Sequence, residues 1–380
     1  MSEEVFSIED IPENPEKKIN YASDFNHNPE LEIKVLDKKS KSVAVEDFEV
    51  KLVLGTGGFG KVFQVKKLTG SDRGQIYAMK VLKKAVIVRN KETKTLETEI
   101  NLHAKLERDV LEAVRHPFIV DLVYAFHSGN KVYLILEYLS GGELFMQLQK
   151  ERMLMEDTAI FYLSQVLLAL EHLHENGIIY RDLKPENIML DREGHVKLTD
   201  FGCVKESADD EISYTFCGTV EYMAPEILNR SGRHGKEVDW WSFGILVHDM
   251  LVGIPPFTGT NRKIVTERVM KSKLHLKKFL TPDAKDILTR LLNRKVENRL
   301  GFGPRDAELV KEHRFFSGVD WDAVINRKTI PPFKPILKSD DDVSNFDKEF
   351  TSKPPIDSPP GSISDSVSEL FLGFSYNGVD

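Results

Sequence analysis

Apolar and polar positions change rhythm three times along the 380 residues. Residues 1–47 hold no sustained period, carry Pro12, Pro15 and Pro29 among many acids, and predict a mostly disordered lead-in. From Phe48 short runs rich in Val, Phe, Ile and Tyr alternate with Gly and Ser-Asp breaks, so residues 48–54, 61–67 and 75–82 predict successive antiparallel strands. A charged stretch over 91–114, with apolar Leu96, Ile100, Leu106, Val110 and Leu111, predicts a helix; 120–126 and 131–138 return to strand character. After Ser140-Gly141-Gly142 the period becomes helical. Ala159, Ile160, Leu163, Val166, Leu167, Leu170 and Leu173 mark a helix over 156–176 with Gly177 as its stop. Residues 236–253 and 282–293 predict two more, the second opened by Thr281 as cap and Pro282 at the first position. The pattern implies an α+β chain, a small β-rich lobe joined to a larger α-rich lobe. From Ser339 a Pro- and Ser-rich stretch predicts an extended tail, yet it ends in apolar Leu370-Phe371-Leu372-Gly373-Phe374, a cluster expected to dock.

Charge sharpens these boundaries. Residues 1–47 hold 12 acids against 6 bases and residues 339–380 hold 9 against 2, so of the total of -8 the middle carries +5. A mildly basic body between acidic tails suits an anionic small molecule better than nucleic acid, whose binders show a strong basic stripe. No apolar run approaches the roughly 18 residues of a membrane span, and the acidic start lacks the features of a signal peptide. A membrane or secreted protein is therefore not expected, and the two cysteines, Cys203 and Cys217, read as small buried thiols rather than a redox pair.

The candidate chemistry begins at Gly55-Thr56-Gly57-Gly58-Phe59-Gly60. Glycines there let backbone N–H groups approach phosphate oxygens. A dinucleotide site would follow with a helix and, about 20 residues on, an acid; here a strand-like run follows, and Lys80 stands at that distance. That points to a nucleoside triphosphate. Next comes Tyr180-Arg181-Asp182-Leu183-Lys184-Pro185-Glu186-Asn187, a Pro-stiffened loop offering a carboxylate, an ammonium and an amide. Phosphoryl transfer needs that mixture: a carboxylate for the hydroxyl proton, a cation for the γ-phosphate and oxygen ligands for Mg²⁺. Asp200-Phe201-Gly202 and Ala224-Pro225-Glu226 follow in order. Asp200 with Asn187 is a sufficient oxygen pair for Mg²⁺, and the ordered motif set is that of the protein kinases.

The chain resembles an AGC-group protein kinase over about residues 48–376. Tyr180 at the head of the loop, Thr215-Phe216-Cys217-Gly218-Thr219 and Asp239-Trp240-Trp241-Ser242 carry that resemblance. Within the group it is similar to the ribosomal protein S6 kinases of the p70 type, through residues 138–148 and 331–335, Asp357-Ser358-Pro359 and residues 371–376. The resemblance implies a bilobal kinase fold with a catalytic domain at 48–316, its small lobe at 48–137 and its large lobe at 138–316, and a regulatory tail at 317–380. It implies ATP and Mg²⁺. Lys80 would bind the α- and β-phosphates and pair with an acid on the 91–114 helix; Glu107 fits the family frame, and Glu97, Glu99 and Glu112 fit it less well. Asp182 would be the catalytic base, Lys184 the γ-phosphate contact, and Asn187 and Asp200 the metal ligands. Gly55, Gly57 and Gly60 would cover the phosphates. Leu54, Val62, Ala78, Leu136 and Met189 would sandwich adenine, with backbone at Glu137 and Leu139 reading its edge. Lys184 together with Thr219 resembles the serine/threonine rather than the tyrosine enzymes.

Glu143, Glu186 and Asp249 sit where the group faces a basic peptide, so the expected substrates are proteins with Arg-x-Arg-x-x-Ser/Thr segments. Glu226 is expected to pair with Arg299. Thr215, Ser358 and Ser375 are the expected phosphorylation sites, with Arg181, Lys205 and His103 as partners of the first. The family suggests a phosphoinositide-dependent kinase for Thr215 and a target-of-rapamycin complex for Ser375. Phe371 and Phe374 should fill a small-lobe pocket beside the 91–114 helix. A monomer in the cytoplasm, with the nucleus as a second location, and without direct nucleic-acid or membrane partners, completes the expectation. Three departures stand out: the segment before Glu107 is about two helical turns longer than the family's, Cys203 follows the Asp-Phe-Gly motif, and Phe6-Ser7-Ile8-Glu9-Asp10 only partly matches the family's docking motif. The rival reading is a kinase-fold scaffold without activity; intact Lys80, Asp182, Asn187 and Asp200 speak against it.

Overall fold

The computed structural model describes residues 43–56, 60–84, 96–206, 219–229, 234–357, 371 and 373–378. Alternation of apolar residues between Phe48 and Glu137 folds into an antiparallel sheet. Its strands are β1 (Phe48–Thr56), β2 (Gly60–Lys67), β3 (Ile76–Lys83), β4 (Leu122–Ser128) and β5 (Lys131–Glu137), ordered β1-β2-β3-β5-β4. The helix α1 (Leu96–Ala113) joins β3 to β4. Because side chains alternate across a strand, Phe63, Val65, Met79, Val81, Tyr133 and Ile135 share one face and form a small core with Phe48, Val53, Tyr124 and Phe126. The residues between them face the other way.

The larger lobe contains β6 (Gly142–Glu143), α2 (Leu144–Glu151), α3 (Glu156–Glu175), β7 (Ile178–Ile179), β8 (Ile188–Leu190), β9 (Val196–Leu198), β10 (Lys205–Glu206), α4 (Pro225–Leu228), α5 (Glu237–Val252), α6 (Arg262–Lys271) and α7 (Pro282–Leu291). α5 is apolar nearly all round and correspondingly buried from Val238 to His248. Its end is a glycine, Gly253, at φ 83°, a left-handed stop that costs glycine least. Thr281 caps α7 as its sequence requires, Oγ1 accepting from the Ala284 N–H at 3.1 Å, with Pro282 at the first position. Gly177, at φ 71°, follows α3. The bilobal α+β architecture is thus the one the periodicity implies; the short elements α2 and α6 had no counterpart in it.

The tail returns to the small lobe rather than trailing into solvent. Tyr138 Oη donates to the Asp342 carbonyl at 2.6 Å and its ring stacks on Phe346 at 5.8 Å. Phe350 then packs on the outer core of the sheet, and the Lys61 and Lys131 ammonium groups hold the Ile356 carbonyl and the Asp357 carboxylate. Finally β11 (Tyr376–Asn377) pairs antiparallel with β4, Tyr376 opposite Ala125, as the sixth strand. Phe371 and Phe374 are 2% and 1% exposed. Lys84 Nζ lies 4.8 Å above the first ring and the Arg108 guanidinium 5.6 Å from the second. The two phenylalanines therefore dock beside α1, as their exposed placement in the sequence demanded.

A two-residue strand cannot hold a tail by itself, so the buried rings must. Truncating a buried Phe costs about 3–5 kcal/mol. Phe374→Ala is accordingly expected to release β11: the Tyr376, Asn377 and Gly378 amides should lose hydrogen-exchange protection while those of β5 keep theirs. Retained protection in the variant would show that the rings do not anchor the strand.

Candidate active site

The face of the sheet turned away from the small core carries Leu54, Val62, Ala78, Lys80 and Leu136. Register sets their spacing: Val62 is opposite Lys80, and Ala78 opposite Leu136. Leu136, Leu139, Ala78 and Met189 belong to the main core, but Leu54 and Val62 pack into neither core cluster. Of these two, Leu54 is buried and Val62 half-buried, and both share the sheet face that carries Lys80. Glu137 turns its carboxylate aside, pairing with Lys197 at 2.6 Å and accepting from the Asp121 N–H at 2.9 Å, while its own N–H donates to the Asp121 carbonyl at 3.1 Å. A Cβ at Gly60 would lie 1.9 Å from the Val81 carbonyl oxygen, whereas Gly55 has open space. Gly60 is thus required by the approach of β3, and Gly55 is the glycine with room beside it. Gly57 lies outside the described residues.

Lys80 is the meeting point of three elements. Its Nζ lies 2.5 Å from Glu107 Oε1 on α1 and 2.9 Å from Asp200 Oδ1. Burial alone would lower the Lys80 pKa, but the carboxylates of Asp200 and Glu107 outweigh it and hold it above its ordinary value. Lys80 in turn holds Asp200 below the usual carboxylate range. Burial pushes Glu107 upward while Lys80 opposes it; an ammonium this firmly charged at 2.5 Å keeps the pair ionic. Of the acids considered for this helix, Glu107 is the partner that the fold brings to Lys80.

Beneath them the Tyr180–Asn187 loop is built around a carboxylate from α5. Asp239 accepts the backbone N–H groups of Tyr180 and Arg181, each at 2.8 Å, and the His174 imidazole at 2.9 Å. Arg181 adopts φ 65° and Asp200 φ 58°, left-handed positions uncommon for residues other than glycine. The Arg181 side chain holds the Cys203 and Val204 carbonyls, tying the loop to the segment after Asp-Phe-Gly. Phe201 is fully buried with its ring edge-on to Tyr180 at 5.3 Å. Within the loop, Asp182 Oδ2 accepts from Lys184 Nζ at 2.9 Å and from Asn187 Nδ2 at 2.8 Å. Burial raises the Asp182 carboxyl, opposed by Lys184. Asn187 Nδ2 also donates to the Asp182 carbonyl at 2.8 Å, which leaves its amide oxygen as the remaining donor atom. That oxygen and the half-exposed Asp200 carboxylate form an all-oxygen set, fitting a hard divalent cation.

Comparison with known proteins agrees with this geometry. The family model for the protein kinase domain matches residues 48–316, and that for the protein kinase C-terminal domain matches 337–376. The chain belongs to the protein kinase family. Ribosomal protein S6 kinase beta of Caenorhabditis elegans is 56% identical over 336 residues, covering 88% of this chain and 60% of that one. Human ribosomal protein S6 kinase alpha-3 is 53% identical over 333 residues, 87% of this chain and 44% of its own. A putative ribosomal protein S6 kinase alpha-1 of Caenorhabditis elegans is 47% identical over 370 residues, 97% and 46% respectively. The chain spans about half the length of the curated relatives it matches. The resemblance to the S6 kinases in the AGC group is thereby supported over most of the chain.

Of the remaining kinase features, Glu226 accepts both Arg299 amino groups, at 2.6 and 2.9 Å, with the guanidinium over Trp241, so this pair forms as expected. Glu186 lies near enough to Glu143 and to Asp249 to repel each of them. Burial raises Glu143, helped by Glu186 and Asp347; burial also raises Asp249, with Glu186 adding to it and the Tyr222 hydroxyl opposing. Ser375 is exposed between residues held by Arg108, which grips the Gly373 carbonyl, and by Arg115, which grips Tyr376 Oη. Thr215, Ser358, Cys217, the His103 side chain and Phe6–Asp10 lie outside the described residues; Cys203 is buried. Three residues at the site had no role assigned from the sequence. Asp239 had a legible signal, a carboxylate set directly among the apolar residues of a helix, since burying one requires partners. Asn345 and Phe346, which close over the hinge through the Ser140 carbonyl and the Tyr138 ring, had none.

His174 supplies a pH test of the loop's foundation. Both its nitrogens meet carboxylates, Asp239 and Asp306, each at 2.9 Å. Burial alone would lower it, but the two carboxylates raise its pKa from 6.5 to about 9. A raised cation stabilises fully below the unfolded-state value and loses that contribution as pH rises through the folded one; the rise corresponds to about 3 kcal/mol. Urea unfolding of the wild type should therefore weaken between pH 6.5 and about 9, whereas His174→Gln should show a flatter profile there. Parallel profiles would mean that His174 is uncharged.

Proposed function

We propose that this chain transfers the γ-phosphoryl group of ATP to serine and threonine hydroxyls in basic protein segments. The single observation that carries the reading is the ion triad Lys80–Glu107–Asp200, closed at 2.5 and 2.9 Å above an Asp182 whose Oδ2 is occupied by Lys184 and Asn187. With Oδ2 so held, Asp182 Oδ1 takes the hydroxyl proton as the oxygen–phosphorus bond forms and the bond to the β-phosphate oxygen breaks, releasing ADP. Lys184 neutralises charge on the transferring group and Lys80 that on the phosphates left behind. Asp200 and Asn187 would hold Mg²⁺, which supplies charge neutralisation between the phosphates. Leu54, Val62, Ala78, Leu136 and Met189 bind adenine, and the Glu137 and Leu139 backbone reads its edge.

Glu143, Glu186 and Asp249 select arginines, favouring Arg-x-Arg-x-x-Ser/Thr segments. The relatives' names suggest ribosomal protein S6 as one substrate. Thr215, Ser358 and Ser375 are read as regulatory phosphorylation sites, Thr215 for a phosphoinositide-dependent kinase and Ser375 for a target-of-rapamycin complex; the docked Phe371 and Phe374 support a role for the tail. A cytoplasmic location, with the nucleus as a second, goes with these partners.

Transfer of labelled γ-phosphate to an Arg-rich peptide tests the reading. Asp182→Asn is expected to lower kcat by about 10²–10⁴ with its fold intact by melting temperature; equal rates would leave the inactive-scaffold reading standing. Glu143→Gln with Asp249→Asn should raise KM for the basic peptide far more than it lowers kcat. Because burial and the neighbouring Glu186 carboxylate raise Glu143 and Asp249, wild-type KM should begin to climb on acidification before ordinary carboxylates titrate. A KM insensitive to both changes would place the arginine-binding site elsewhere.

A further inference from the structure

The mild positive charge of the body is concentrated in one place. Residues 271–299 contain nine Lys and Arg against three Asp and Glu, a net +6 inside a body of +5. The same segment encloses a cavity of about 430 Å³ between the strand-like stretch after α6 and the end of α7. Its walls are Leu274, Leu276 and Leu292, its polar lining is Thr289, Asn293 and Asn298, and Arg294 and Lys295 complete it. No carboxylate lines it. Leu274 and Leu276 are only partly buried and rest on the main core, so the leucine surface is firm from behind and open in front. Arg294 is fixed: its guanidinium holds the carbonyls of Val269, Arg268 and Ser272 at the end of α6 and lies 5.4 Å from the Phe257 ring. Lys295 is exposed, as are Lys271, Lys273 and Lys277 around it. None of these residues takes part in the phosphoryl-transfer site.

We propose that this cavity is a docking site for an acidic segment of a partner protein that inserts an aliphatic or aromatic side chain between the leucines. Both halves of the recognition are present: an apolar seat with partly exposed leucines and a cationic rim whose field steers and orients acidic residues. A nucleic acid would use the cations but not the seat, because no aromatic side chain lines the cavity to stack a base. The surface is opposite in sign to the Glu143–Glu186–Asp249 groove, so a single protein could place an acidic segment here and a basic segment there without the two competing.

Fluorescence anisotropy of the full chain with a labelled peptide tests this. The probe is an octapeptide with a central Leu-Phe pair flanked by three acidic residues on each side, compared with the same peptide carrying Ala-Ala at its centre and with a labelled single-stranded oligonucleotide. Saturable binding of the first, weakened about tenfold, or about 1.4 kcal/mol, by Lys295→Glu and by Thr289→Glu, is expected. Both positions are exposed, so melting temperature and phosphorylation of the Arg-rich peptide should stay at wild-type values. Equal binding of the Ala-Ala peptide or of the oligonucleotide would reduce the patch to charge alone and overturn the proposal. So would absent binding, or binding that neither variant changes.

Discussion

The candidate active site is organised around one ammonium held between two carboxylates of distant origin. Lys80 belongs to the sheet, Glu107 to α1 and Asp200 to the large lobe, separated by 27 and 120 positions in the chain. The Lys80–Glu107 pair is buried and contributes little net stability, because desolvation offsets attraction; Asp200 is half-exposed and keeps Lys80 partnered when Glu107 moves. That asymmetry is what makes the triad suited to a switch. Movement of α1 that withdraws Glu107 leaves Lys80 with Asp200 alone, and anything that holds α1 in place favours the assembled site.

The tail is placed to do this. Arg108, next to Glu107 in sequence, grips the Gly373 carbonyl and covers the Phe374 ring. The docking of two phenylalanines and the position of Glu107 are therefore contacts of neighbouring residues on one helix. The same tail lies across the hinge at Tyr138 and along the outside of the sheet, so the small lobe is completed by residues more than two hundred positions away. A sixth strand also covers the outer edge of β4, where unpaired backbone groups would otherwise invite other strands.

Strain at the site is supported from below. Arg181 and Asp200 hold left-handed conformations that cost on the order of 1–3 kcal/mol each. Asp239 secures the first through two backbone N–H groups, and Lys80 secures the second through its carboxylate. His174, held between Asp239 and Asp306, fixes the orientation of the Asp239 carboxylate in turn. The loop is thus shaped by charged groups in the core, and its own residues remain available to chemistry.

Local information was enough for much of this. Period-2 and period-3.6 patterns, the Thr281-Pro282 cap and the Gly177 stop settle strands and helices because they are properties of neighbouring residues. The motif order from Gly55 to Glu226 names the chemistry because phosphoryl transfer demands those side-chain types. Which acid on α1 meets Lys80, by contrast, depends on how the helix rotates against the sheet. Why Gly60 is glycine depends on the approach of Val81, and why a carboxylate lies inside the apolar α5 depends on a loop about 60 positions away. The pairing of Tyr376 with Ala125 and the leucine cavity within the basic 271–299 segment are of the same kind. Each joins groups with no shared local pattern, and only the folded chain, by bringing their surfaces out of water together, decides that they meet.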